Sequence, residues 1–333
     1  AIRRQRQMCI RDSIVSGCIG ITLAFNGFSY WGIATQSLTY ILVVTLCSWY
    51  FSPWRPTLQI DLTPIKPLFA FSSKLLVTNI ANQLNNNILS VILGKFFNAQ
   101  MVGNYNQANK WNTTGHQFIT GMLNSVAQPV FVTTRDDHER QLRIFRKILR
   151  FTAFIAFPAM FGLSIVTQEL ILTTVGAKWL GSVPLMQILC IGGAFIPITT
   201  LFSNLIISQG KSEIYMWNII TQVLIQLITV LTLIAFDGSI QTMVEIYVCI
   251  NIAWLFVWQH YARRFIHLPV RLLISDLLPF MLAAGVSCLA GWLASSLIEG
   301  HFLLTFTVKV AVAVPCYIGL MQLTRTEILK ECT

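Results

Sequence analysis

Charged residues are scarce in this 333-residue sequence. They make up 11% of it, while 55% of the residues are hydrophobic, and an average soluble domain is about 25% charged. The mean hydropathy of +0.65 reflects apolar sequence along the whole length. The apolar runs are too long, and alternate too little, for the strands of a membrane barrel. The composition therefore predicts an all-α protein, a polytopic bundle of membrane-spanning helices.

Groups that carry out catalysis are also few. Apart from Glu245, no aspartate or glutamate lies deep in an apolar run, so the sequence offers no carboxylate pair for glycosyl transfer or hydrolysis. No Ser/His/Asp arrangement, phosphate-binding loop or zinc-protease motif is present, and the eight cysteines have no metal-ligand spacing. We therefore predict a protein that is not an enzyme and that has no metal and no cofactor.

The apolar runs divide into ten candidate spans, since a helix needs about 20 apolar residues to cross a bilayer. Short polar turns such as Gly210-Lys211-Ser212 and Asp237-Gly238 separate the runs. The candidate spans cover residues 14–29, 31–51, 68–93, 99–126, 149–168, 184–207, 214–236, 240–260, 274–297 and 302–323.

The formal net charge of +10 would suggest a nucleic acid partner in a soluble protein, but here basic loops explain it. If residues 52–67 lie in the cytoplasm, fourteen basic residues fall on the cytoplasmic side and only Lys95 and Lys178 on the other. This asymmetry predicts a cytoplasmic C-terminus and membrane lipids, not nucleic acid, as partners. The hydrophilic segment 133–147 resembles a short amphipathic helix at the membrane interface.

The third and fourth spans contain an unusual number of polar residues. Asn79, Asn82, Gln83 and Asn86 recur at helical spacing and share one face, and a second polar stripe follows on the next span. Such side chains avoid lipid, whereas amides suit sugar hydroxyls and lysines suit phosphate. The stripes predict a substrate cavity. Its candidate residues are Lys74, Asn79, Asn82, Gln83, Asn86, Tyr105, Asn109, Lys110, Asn112 and His116.

Each of these features has a simpler interpretation. Amides also hold membrane helices together by hydrogen bonds, and Lys74 could extend its ammonium group to the lipid headgroups. His116 is either a proton-coupling group or a hydrogen-bonded member of the polar stripe. Lys309, within the last span, is interpreted as reaching the interface or as paired with another helix, and it is given no functional role.

Several short motifs follow one another in a fixed order along the chain. They are Trp54-Arg55-Pro56, Phe71-Ser72-Ser73-Lys74-Leu75-Leu76, Ile92-Leu93-Gly94-Lys95-Phe96-Phe97, Val102-Gly103-Asn104-Tyr105-Asn106-Gln107-Ala108, Gly176-Ala177-Lys178-Trp179 and Leu185-Met186-Gln187-Ile188-Leu189. This ordered set resembles the motifs of Wzx-type lipopolysaccharide and polysaccharide flippases, which belong to the polysaccharide transporter family of the multidrug/oligosaccharidyl-lipid/polysaccharide exporter superfamily.

The resemblance implies a two-lobed exporter fold of which the first four spans are missing. Residues 14–51 would be the last two helices of the first lobe, 52–67 a cytoplasmic linker, 68–260 a six-helix second lobe and 261–333 two extra helices with a cytoplasmic tail. Residues 1–13 are interpreted as a non-native leader.

The function that the resemblance implies is alternating-access transport of an undecaprenyl-pyrophosphate-linked oligosaccharide across the bacterial inner membrane. This transport would serve the synthesis of lipopolysaccharide O-antigen or exopolysaccharide, with a polysaccharide polymerase and glycosyltransferases as partners. A drug or cation antiporter of the same superfamily is one alternative. A membrane O-antigen polymerase or ligase is another.

Overall fold

The computed structural model describes residues 17–19, 22–23, 29–51, 65–135, 137–296 and 302–323. Helices dominate these residues, and none of them forms a strand, which confirms the predicted all-α class. The helices are α1 (Ser29–Phe51), α2 (Ile65–Phe96), α3 (Ala99–Thr133), α4 (His138–Ile165), α5 (Thr167–Thr174), a 3-10 helix (Ala177–Ser182), α6 (Val183–Gly193), α7 (Ile196–Ser208), α8 (Ser212–Ala235), α9 (Ile240–Ile266), α10 (Val270–Ser296) and α11 (Phe302–Leu323).

The chain forms two compact units, Ala1–Pro67 and Leu68–Thr333. In the first unit the described helix is α1, whose residues Ala34–Cys47 are apolar. The second unit begins within α2 and contains the remaining helices. The division of residues 68–333 into a six-helix lobe and two extra helices stays a prediction.

Six elements are long and apolar enough to cross a membrane. They are His138–Ile165, Ala177–Ser208, Ser212–Ala235, Ile240–Ile266, Val270–Ser296 and Phe302–Leu323. Helices α2 and α3 match two further predicted spans in position, but they are not among the six. Their amides and lysines lower the hydropathy. The count of ten stays a prediction, and the predicted span 14–29 falls largely outside the described residues.

The charged segment before α4 differs from its prediction as a separate interfacial helix. Asp137 caps α4, because its Oδ1 accepts a hydrogen bond from the Arg140 amide at 2.9 Å. From His138 the helix continues without a break to Ile165. The prediction of a separate short helix is therefore wrong, because the basic residues form the first turns of a long apolar helix.

The core of the second unit lies where α3, α4, α6, α7 and α9 pack together. Phe145, Phe157 and Phe202 are fully buried there, and the Phe145 and Phe202 rings are 5.0 Å apart. Glycine allows close approach at one point: a Cβ on Gly192 would lie 2.9 Å from a methyl group of Val248 on α9. The chain turns just after this point, between α6 and α7, and Pro197 lies in the first turn of α7.

The hairpin formed by α10 and α11 packs on α4, and ion pairs connect it to α4 and α5. Asp276 in α10 is 5% exposed and binds Arg146 at 2.7 Å and Arg150 at 3.0 Å. Lys309 in α11 binds Glu169 in α5 at 2.6 Å. The sequence pointed to Glu245 as the buried carboxylate. Glu245 is instead exposed one turn into α9, and the buried carboxylates of the described residues belong to Asp276 and Glu169.

Candidate functional site

A cavity of about 530 Å³ lies within the second unit. Residues from α2, α3, α6, α7, α8 and α9 form its walls. The turn between α6 and α7 reaches it through Gly192, Gly193, Phe195 and Ile196. The polar helices α2 and α3 thus meet the turn between the apolar helices α6 and α7 at this cavity. The ligand sites of membrane transporters often lie where a membrane helix is interrupted in this way.

Six of the ten candidate residues line this cavity. From α2 they are Asn82, Gln83 and Asn86, and from α3 they are Asn109, Asn112 and His116. The helical spacing brings them together because residues three, four and seven apart lie on one face. Their role in binding a substrate stays a prediction.

The other four candidates do not line it. Asn79 and Lys110 are exposed. Lys110 follows Asn109 directly in α3, so its side chain points about 100° away from that of Asn109 around the helix axis. Tyr105 is 1% exposed and lies one turn of α3 before the cavity, in the hydrophobic core. Lys74 belongs to α2, but its side chain lies outside the described part of the structure.

The opposite wall carries polar residues that sequence reasoning missed. Tyr215 and Gln222 extend from α8, and Tyr247 and Asn251 extend from α9. A signal was present in the sequence, because Asn218, Gln222 and Gln226 recur every four residues within an otherwise apolar span. The sequence predicted only the stripes of α2 and α3 because polar residues are more frequent in those helices.

Hydrogen bonds connect many of the polar side chains in the walls. Asn82 Nδ2 donates to Tyr215 Oη at 3.0 Å, which joins α2 to α8. Asn251 Oδ1 accepts from Gln222 Nε2 at 2.8 Å and from Gln226 Nε2 at 3.2 Å, which joins α9 to α8. Tyr247 Oη donates to the Asn85 carbonyl oxygen at 3.4 Å. These bonds hold the amides in fixed orientations.

Three buried polar atoms of the lining residues have no hydrogen-bond partner among the described residues. They are Asn85 Oδ1, Asn112 Oδ1 and His116 Nδ1. Buried polar atoms are nearly always paired with protein, water or a ligand. The walls are thus polar, and they contain buried polar atoms that no described residue pairs.

The described residues of the cavity include no aspartate, glutamate, lysine or arginine. Groups of three or more potential metal ligands are also absent from the described part of the chain. The cavity is therefore suited to binding through hydrogen bonds and aromatic contact.

The helices define the protein as a multi-pass α-helical membrane protein. The fold resembles that of the lipid II flippase MurJ in an inward closed conformation, with a TM-score of 0.74 over 96% of this chain and 67% of that one, at 14% identity. The sequence pattern of the polysaccharide biosynthesis protein family matches residues 4–184, and the chain belongs to this family. The match begins within the segment 1–13 that was interpreted as a leader.

Two relatives from bacteria are similar over much of the chain. The teichuronic acid biosynthesis protein TuaB of Bacillus subtilis is 24% identical over 278 residues, which are 82% of this chain and 57% of that protein. The lipopolysaccharide biosynthesis protein WzxC of Escherichia coli is 28% identical over 201 residues, 59% of this chain and 41% of that protein. The chain thus spans about half the length of the relatives it matches.

Proposed function

We propose that the protein takes part in flipping a lipid-linked oligosaccharide across the bacterial inner membrane. The transported lipid carries a pyrophosphate and a sugar repeat unit for lipopolysaccharide, O-antigen or exopolysaccharide synthesis. The protein acts as a transporter and not as an enzyme.

The observation that carries this proposal is the uncharged, amide-lined cavity within a flippase fold. Amides both donate and accept hydrogen bonds, so they match hydroxyl-rich sugars better than they match apolar drugs or cations. The names of the relatives connect them with polysaccharide biosynthesis.

Alternating access explains how such a cavity would move its ligand. Residues 68–260 form one of two lobes, which rock against each other and open the cavity first to one side of the membrane and then to the other. The headgroup passes through the polar space while the lipid tail remains in the bilayer. The C-terminus lies in the cytoplasm, as the distribution of basic residues suggests.

Genetic complementation tests this function. The gene that encodes the chain is deleted in its own host, and surface polysaccharide and lipid-linked intermediates are measured. We expect polysaccharide to disappear from the surface, the lipid-linked repeat unit to accumulate in the cytoplasmic leaflet, and both changes to reverse when the gene is restored. Normal surface polysaccharide in the deletion strain would contradict the proposal.

A further inference from the structure

A cluster of three charged side chains lies between α4 and α10, outside the cavity. The Asp276 carboxylate accepts two hydrogen bonds from Arg146, from Nε to Oδ2 at 2.7 Å and from Nη2 to Oδ1 at 2.9 Å. Arg150 Nε lies 3.0 Å from Asp276 Oδ1. One carboxylate thus binds two guanidinium groups, and the three side chains together have an excess of one positive charge.

The carboxylate is the inner part of this cluster, and the guanidinium groups are the outer part. The Asp276 side chain is 5% exposed, whereas those of Arg146 and Arg150 are 25% and 27% exposed. A carboxylate that binds the planar guanidinium fork holds it in one orientation. Asp276 therefore positions two cations that lie one turn apart on α4, with part of each accessible from outside.

The cluster lies where the charged part of each helix ends. Arg150 is the last charged residue of α4, about 18 Å along the helix from His138, and Asp276 is the last charged residue of α10. Both helices are long and apolar enough to cross a membrane. The lipid phosphate groups of a bilayer lie at such a boundary between charged and apolar sequence.

The chemistry of the cluster favours one class of lipid. The planar guanidinium fork matches the oxygens of a phosphate group. The single negative charge of a phosphodiester would balance the one excess positive charge of the cluster. A diphosphate would bring more negative charge next to the Asp276 carboxylate, and a zwitterionic headgroup would bring an ammonium group next to two guanidinium groups.

We propose that Arg146 and Arg150 bind the phosphate of an anionic phospholipid, and that Asp276 is the residue that positions them. The lipid phosphate completes the charge balance of the contact between α4 and the C-terminal hairpin. None of the three residues lines the cavity, so this site is separate from it and does not depend on the transported substrate.

Native mass spectrometry of the purified chain in detergent micelles tests the site. Phosphatidylglycerol, which has one negative charge, is compared with phosphatidylethanolamine, which is zwitterionic. The test variant is Arg146→Gln/Arg150→Gln/Asp276→Asn, which replaces all three charges by amides and leaves no buried carboxylate unpaired. The matched control is Arg263→Gln, at the exposed end of α9, because it lowers the net charge of the chain by the same one unit.

We expect the unmodified chain to bind phosphatidylglycerol more tightly than phosphatidylethanolamine, and the triple variant to bind phosphatidylglycerol roughly 3- to 10-fold more weakly. Arg263→Gln should bind it like the unmodified chain. Phosphatidylglycerol should also raise the thermal unfolding temperature of the unmodified chain more than that of the triple variant. Equal affinities of the triple variant and Arg263→Gln for phosphatidylglycerol would overturn the proposal.

Undecaprenyl diphosphate distinguishes the phospholipid from a diphosphate lipid. We expect an excess of it to leave phosphatidylglycerol bound to the unmodified chain. Displacement of phosphatidylglycerol, or binding of both phospholipids with equal affinity, would overturn the assignment, and these two comparisons need no variant to fold. The measurements involve no transport, so their failure leaves the proposed function intact, and normal export in the deletion strain would leave the lipid site intact.

Discussion

Lys309 Nζ in α11 lies 2.6 Å from Glu169 Oε1 in α5, and it also donates a hydrogen bond to the Ile165 carbonyl oxygen at 2.9 Å. Both side chains are about 10% exposed. The ammonium group thus joins α11 to the end of α4 and to the start of α5. Tyr317, two turns further along α11, adds a hydrogen bond to the Phe154 carbonyl oxygen at 2.9 Å.

The ion pair predicts an asymmetric mutational response. Glu169→Gln leaves a buried ammonium group without its carboxylate, and we expect it to lower the free energy of unfolding by about 3–5 kcal/mol. The double variant Glu169→Gln/Lys309→Met removes both charges and should recover most of the loss. Thermal unfolding in detergent measures both. A double variant less stable than Glu169→Gln would show that the charges themselves stabilise the contact.

Gly193 predicts a tight steric requirement at the cavity wall. A Cβ at this position would collide with Asn112 Oδ1 and lie 2.6 Å from Met160 Cε. We expect Gly193→Ala to cost about 1–3 kcal/mol of stability, because Asn112 and Met160 must both move to admit the added methyl group. Thermal unfolding in detergent measures the loss. Gly285→Ala is the control, because a Cβ there meets nothing within 4 Å.

The lysines of α2 and α3 predict a separate effect on export. Lys110 is exposed and does not line the cavity, and the diphosphate of the proposed substrate is a group that a lysine can contact. We expect Lys110→Gln and Lys74→Gln to reduce surface polysaccharide and the arginine variants to retain export, since charge is what the diphosphate requires. If both glutamine variants export polysaccharide at the parental rate, the lysines serve only to orient the helices in the membrane.

The distribution of basic residues predicts which turns face each side of the membrane. In a cysteine-free background, Asp237→Cys should react with a membrane-impermeant thiol reagent in intact spheroplasts, because the predicted orientation puts the turn after α8 outside the cytoplasm. Lys211→Cys, before α8, should react only after the membrane is opened. The reverse pattern would invert the proposed orientation and move the C-terminus out of the cytoplasm.

The sequence predicted most of the helices and one side of the cavity. The stripe from Asn82 to Asn86 and that from Asn109 to His116 were visible because polar residues repeat at helical spacing in sequence that should be apolar. The partners of these stripes were not visible, because Tyr215 and Asn251 meet them only through tertiary packing. Asp276 was missed for a similar reason: near the edge of a predicted span it looked like a loop residue, and only the packing of α10 on α4 buries it.

The polarity of α2 and α3 has a consequence for biogenesis. Neither helix is apolar enough to rank among the membrane-crossing candidates, and insertion machinery selects helices by their hydrophobicity. On leaving the ribosome, α2 and α3 would partition poorly into lipid until α6 to α9 arrive with complementary amides. The order of insertion would then differ from the order of synthesis, and a nascent chain stopped after α3 would leave both helices accessible to proteases.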